Sequence, residues 1–184
     1  MSLGRFVPLV VVVLALAGCP FTSDTPLSDP ASARPDSRLI GTWRTHDKES
    51  GDWHSLTILA FDEHGMVGFT TEGTSGKVDA FRAFPTVIGD ETFLNFRELG
   101  KDAAGDSTEG WYFARYRIVE ESLLLSFVDD GLFAQRQFAG SADLREFFRQ
   151  HLSDPRLYFP DAEQQTDSVW ERVPEASEAS KSKS

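Results

Sequence analysis

Cys19 is the only cysteine of the 184-residue chain and closes the stretch Leu16-Ala17-Gly18-Cys19 at the end of an apolar run. A thiolate is a strong nucleophile, and with no second cysteine an internal disulfide is excluded. Other reactive groupings are weaker. His46 and His54, with Asp47, Glu49 and Asp52 between them, offer metal-capable side chains, but their spacing fits no tight ligand pattern, and no metal is assigned. Gly73-Thr74-Ser75-Gly76-Lys77 falls short of a phosphate loop, because Thr71 stands where its first glycine is needed and Val78 where Ser or Thr is needed. Glu120-Glu121 and Asp129-Asp130 are adjacent carboxylates, which a strand would send to opposite faces, so both read as turns. His64 in a turn and His151 on a helix flank read as structural. No Gly-x-Ser-x-Gly elbow is present. No catalytic residue is assigned, and an enzyme is the least supported class.

The run before Cys19 explains why that cysteine matters. Arg5 supplies a positive start, and Phe6 to Ala17 is almost wholly apolar and ends in small residues. That is the pattern of a secretory signal peptide over residues 1–18. It is too short for a spanning helix, which takes about 20 apolar residues. Leu16-Ala17-Gly18-Cys19 resembles the lipobox of bacterial lipoproteins. The resemblance implies cleavage between Gly18 and Cys19, a diacylglyceryl group on the Cys19 sulfur and acylation of the new amino group; apart from that lipid, no cofactor is expected. Each buried methylene contributes about 0.8 kcal/mol, so two or more acyl chains hold a protein firmly to a membrane. Pro20 stands where lipoproteins retained in the inner membrane often carry Asp, so the resemblance implies the periplasmic face of the outer membrane.

The formal net charge of −11 disfavours nucleic acid and electrostatic adhesion to anionic lipid. Removal of residues 1–18 takes away Arg5 and makes the chain more acidic by one charge. Membrane attachment therefore falls to the lipid.

Behind the cysteine, residues 19–38 read as a lipidated residue followed by a flexible tether. Pro20, Pro26, Pro30 and Pro35 stand among polar residues without apolar periodicity, and such a linker spans about 20 to 25 Å. Residues 39–173 read as one domain. Two-residue alternation marks strands over Ser55 to Phe61, Met66 to Thr71, Thr92 to Leu99, Trp111 to Val119 and Leu123 to Val128. Val78 to Phe84 is a further strand, expected to stop or bend at Pro85, and Leu132 to Phe138 another. Short connections between them require antiparallel neighbours. Leu144, Phe147, Phe148, His151 and Leu152 share one face of a helix capped by Ser141, and Ser168 to Val173 returns as a last strand. Gly100 to Gly110 is a long polar loop, and residues 174–184 form a polar tail.

Eight or nine antiparallel strands with one helix before the last give an all-β chain whose order resembles lipocalins. Gly41-Thr42-Trp43 matches the Gly-x-Trp of the first lipocalin strand. That resemblance implies a barrel with Gly41, Trp43 and Arg172 closing its floor, and a small apolar molecule bound or sensed inside. The sequence leaves open whether the barrel is filled by its own Phe side chains. It also leaves a second reading, a non-catalytic interaction module whose acidic surface and residues 100–110 engage an envelope protein.

Overall fold

The computed structural model describes residues 20–46, 51–73, 76–100, 110–133, 136–159 and 168–174. Gly18 and Cys19, the expected signal peptide, most of the 100–110 loop and the tail from residue 175 lie outside the described residues.

Eight strands close into one antiparallel barrel in chain order. They are β1 (Gly41–His46), β2 (Trp53–Ala60), β3 (Met66–Glu72), β4 (Val78–Ile88), β5 (Glu91–Glu98), β6 (Tyr112–Val119), β7 (Ser122–Phe127) and β8 (Ser168–Arg172). The pairing of β1 with β8, Trp43 opposite Arg172, completes the ring and leaves no open edge. Helix α1 (Ser141–His151) precedes the last strand. The fold is all-β and lipocalin-like in its topology. Among the described residues, no helix is long and apolar enough to cross a membrane.

Three details differ from the sequence expectation. The fourth strand runs through Pro85, which pairs with Leu94. Pairing with β3 ends at Ala83, so Pro85 sits where β4 has only one neighbour, a position that tolerates the missing N–H. Leu132 to Phe138 forms no strand among its described residues. Asp129 caps a 3-10 turn at Asp130–Leu132, and Phe133 and Phe138 turn toward the helix. Ser141 is the first helical residue and not its cap; Gly140 precedes it, and the Ala139 N–H is held by the Asp143 carboxylate at 3.1 Å.

The largest correction concerns residues 20–37. They are no loose tether but a strap along the outside of the barrel. Phe21, Leu27 and Ala33 are buried in an apolar layer with Phe84, Phe93 and Phe113 of the barrel wall and Leu144, Phe147 and Phe148 of α1. The polar backbone of the strap is satisfied too. The Ser23 and Trp111 backbones exchange hydrogen bonds at 3.0 and 2.7 Å, and the Phe21 N–H donates to the Val128 carbonyl. Asn95, wholly buried on β5, accepts the Leu27 N–H at 2.8 Å and donates to Thr86 Oγ1 at 2.8 Å and the Phe84 carbonyl at 3.2 Å. Ser28 bonds Thr86 at 2.6 Å. A backbone so paired, far from its sequence neighbours, is held and not free.

This layer also accounts for the phenylalanines. Eight of the fifteen belong to the outer layer between wall, helix and strap, so their abundance mostly reflects a second core and not the lumen.

Candidate functional site

The two ends of the barrel differ. Along one end lie the start of β1, the end of β8 and the turns after β2, β4 and β6; at the other lie the longer connections.

The first end is sealed. Trp43 is wholly buried, and its indole N–H donates to the Leu39 carbonyl at 2.9 Å. Leu39 ends a 3-10 turn, Ser37–Leu39, that plugs the floor. The Arg172 guanidinium carbon lies 4.1 Å from the Trp43 ring centroid, and its Nη1 donates to the Ile40 carbonyl at 2.9 Å. A second nitrogen donates to the Arg38 carbonyl, and Nε pairs with Glu121 at 3.3 Å. The glycine of Gly-x-Trp has a physical reason here. Gly41 adopts φ +137°, and a Cβ at that position would stand 2.7 Å from Arg172 Nη1.

Asp36 finishes the floor. Its carboxylate caps the 3-10 turn through the Arg38 N–H, pairs with the Arg38 guanidinium at 2.8 Å and accepts from the Tyr116 hydroxyl at 3.1 Å. Burial opposes the charge on Asp36, but the Arg38 and Tyr116 hydrogen bonds outweigh it and bring its pKa below the usual carboxylate value. Burial, and then the neighbouring Asp36 charge, push the Tyr116 phenol well above the usual tyrosine range. Above this floor, Leu56, Ile58, Met66, Leu94, Leu123 and Leu125 fill the lower lumen, none more than 5% exposed.

At the other end, the described residues are less fully packed. The cross-strand register puts Phe96 and Tyr112 on the inward face of β5 and β6, and Ala114 and Phe127 on that of β6 and β7. Phe81 faces inward from β4, its ring in the space a Cβ on Gly68 would need, 2.1 Å away. These rings touch. Phe96 stacks on Tyr112 at 5.5 Å and meets Phe81 at 5.8 Å and Phe127 at 6.1 Å edge-on. None of the four is buried, and Phe127 is 39% exposed. The alternation of Thr92 to Leu99 and of Trp111 to Val119 already grouped Phe96 with Leu94 and Tyr112 with Tyr116, but which face turned inward required the register.

The remaining sequence candidates separate. His46 stands opposite Trp53 and His54 opposite Thr45, so the two imidazoles leave the sheet on opposite faces. Within the described residues, no three His, Cys, Asp or Glu side chains converge as metal ligands. His64 Nδ1 lies 2.8 Å from Arg34 Nη1, and His151 bonds the Phe147 carbonyl, each a structural contact. Lys77 pairs with Asp79 at 2.9 Å beside the glycine-rich turn.

No protein-family model matches the chain, and no curated protein or solved structure matches it. The fold and the site stand on their own geometry.

Proposed function

We propose that this protein is a lipid-anchored protein of the bacterial envelope, held through Cys19 at the periplasmic face of the outer membrane, whose barrel takes one small apolar ligand through the end framed by Phe81, Phe96, Tyr112 and Phe127. One contrast carries the reading: the floor is packed, while four inward-facing aromatic rings at the opposite end are only partly covered. Burying apolar surface contributes roughly 25 cal/mol per Å², so a ligand seated on these partly covered rings gains by covering them. Because the lower lumen is filled, the ligand is a single alkyl chain or small ring system.

The strap gives the anchor a direction. Cys19 is one peptide bond from Pro20, and Pro20 bridges Asp129, just beyond β7 at the aromatic end of the barrel. A lipid on Cys19 leaves the domain little slack and sets its aromatic end toward the bilayer. An apolar ligand then passes between membrane and barrel over a short distance.

The test is a titration of residues 20–174 with medium- and long-chain fatty acids and apolar dyes, followed by tryptophan emission. Saturable binding by one of these classes is expected. If no class binds, the ligand reading fails and an adaptor role is left.

A further inference from the structure

A second concavity lies outside the barrel, apart from the aromatic end. It is a groove of about 290 Å³ between the strap at Pro30 and the β2–β3 turn at Asp62, with Phe84 and Trp111 on its apolar side. Its charged side is unusual. Arg82 and Arg97 stand directly opposite one another on β4 and β5 and both line the groove. Like charges at directly opposed positions destabilise a sheet, and the chain as a whole is strongly acidic. Among the described residues, only one of the two guanidinium groups pairs with a carboxylate. Arg82 pairs with Asp62 at 2.8 Å and lies over the Phe61 ring. Arg97 makes no ion pair among the described residues; its guanidinium carbon lies 5.1 Å from the Trp111 ring centroid.

We propose that this groove binds a small molecule in which a carboxylate or phosphate group is joined to a flat apolar body. The anion bridges Arg97 and Arg82, turning a repulsive cross-strand pair into two charge-assisted contacts, the geometry for which a planar guanidinium is suited. The flat body lies against Phe84 and Trp111, and the volume, at the low end for ligand pockets, limits it to about one ring. Asp62 competes for Arg82. Its carboxylate is held below the ordinary range, first by the His64 N–H and also by the Arg82 charge, so it stays ionised and weakens the site for anions.

The experiment titrates the processed full-length chain in a neutral detergent with benzoate, phenyl phosphate and the uncharged control benzyl alcohol. Arginine Nε–H and tryptophan indole resonances are followed. Saturable shifts at Arg97 and Trp111 with one or both anions, and none with the alcohol, are expected; which anion binds more tightly distinguishes carboxylate from phosphate. Arg97→Gln should weaken binding by about tenfold or more, a factor that corresponds to 1.4 kcal/mol. Asp62→Asn should tighten it, and Arg44→Gln, on β1 away from the groove, should leave it unchanged. An Arg97→Gln protein that titrates like the parent, or an Asp62→Asn protein that binds more weakly, overturns the proposal, as does the absence of saturable shifts with both anions.

Discussion

The Arg172 guanidinium sits 4.1 Å above the Trp43 ring, and the same side chain holds the Ile40 carbonyl at 2.9 Å. One residue of the last strand thus ties the first strand and the floor turn together at the seam where the barrel closes. Trp43→Ala should lower stability by roughly 3 to 5 kcal/mol, as expected for removing a large buried ring. Gly41→Ala should cost about 1 to 3 kcal/mol through its positive φ and the displaced guanidinium. Denaturant unfolding of both variants checks this. An unchanged midpoint for either would contradict the described floor.

Asn95 joins strap to barrel. Asn95→Ala strands the Leu27 N–H and leaves Thr86 short of a partner, an effect of about 1 to 3 kcal/mol for unsatisfied buried groups. Amide exchange at Leu27 should accelerate and proteolysis should appear within residues 20–37. A chain begun at residue 38 should unfold far more readily than one begun at residue 20, because Phe113, Phe148 and their neighbours lose the cover of Phe21 and Leu27. Equal stability of the two chains would restore the tether reading.

The Asp36–Tyr116 contact predicts two pH limbs. The Asp36 pKa is depressed in the folded state, so its contribution is present above the ordinary carboxylate range and is lost as pH falls through the folded value. The Tyr116 pKa is raised, so the folded chain keeps a proton that the unfolded chain releases above pH 10.0, and stability declines from there upward. Asp36→Asn should flatten the acid limb and Tyr116→Phe the alkaline limb of a plot of unfolding free energy against pH. A Tyr116→Phe protein with the parent's alkaline limb would show that another group is responsible.

Cys19→Ala tests the anchor in cells of a bacterium that processes lipoproteins. The expected product is uncleaved or soluble, with no acyl mass on the chain. Recovery of a processed form in the membrane fraction would refute the lipid assignment without touching the barrel.

The barrel was legible in the sequence because its signals are local. Alternation in Trp111 to Val119, the turn at Asp62-Glu63-His64-Gly65 and the short connections specify antiparallel strands. Trp43 and Arg172 could be paired in advance only through the lipocalin resemblance, since they stand 129 positions apart. The strap was illegible for the opposite reason. Phe21, Leu27 and Ala33 are spaced irregularly among prolines, and their partners are remote in sequence, the Asn95 side chain that accepts the Leu27 N–H standing 68 positions away. Phe133 and Phe138 misled in the same way: their apolar character fits a strand, and only the α1 surface beside them shows why they turn outward to Phe147. The aromatic end was half legible, as Phe96 and Tyr112 fell on recognisable faces, but alternation alone does not say which face turns to the lumen.

The ligand reading is tested most directly by following the aromatic resonances of residues 20–174 during titration with lauric acid. The account predicts saturable shifts at Phe81, Phe96, Tyr112 and Phe127 with the Trp43 indole N–H unmoved, because the floor is already filled. Shifts confined to the outer face, or none at these four rings at saturating lauric acid, would contradict it.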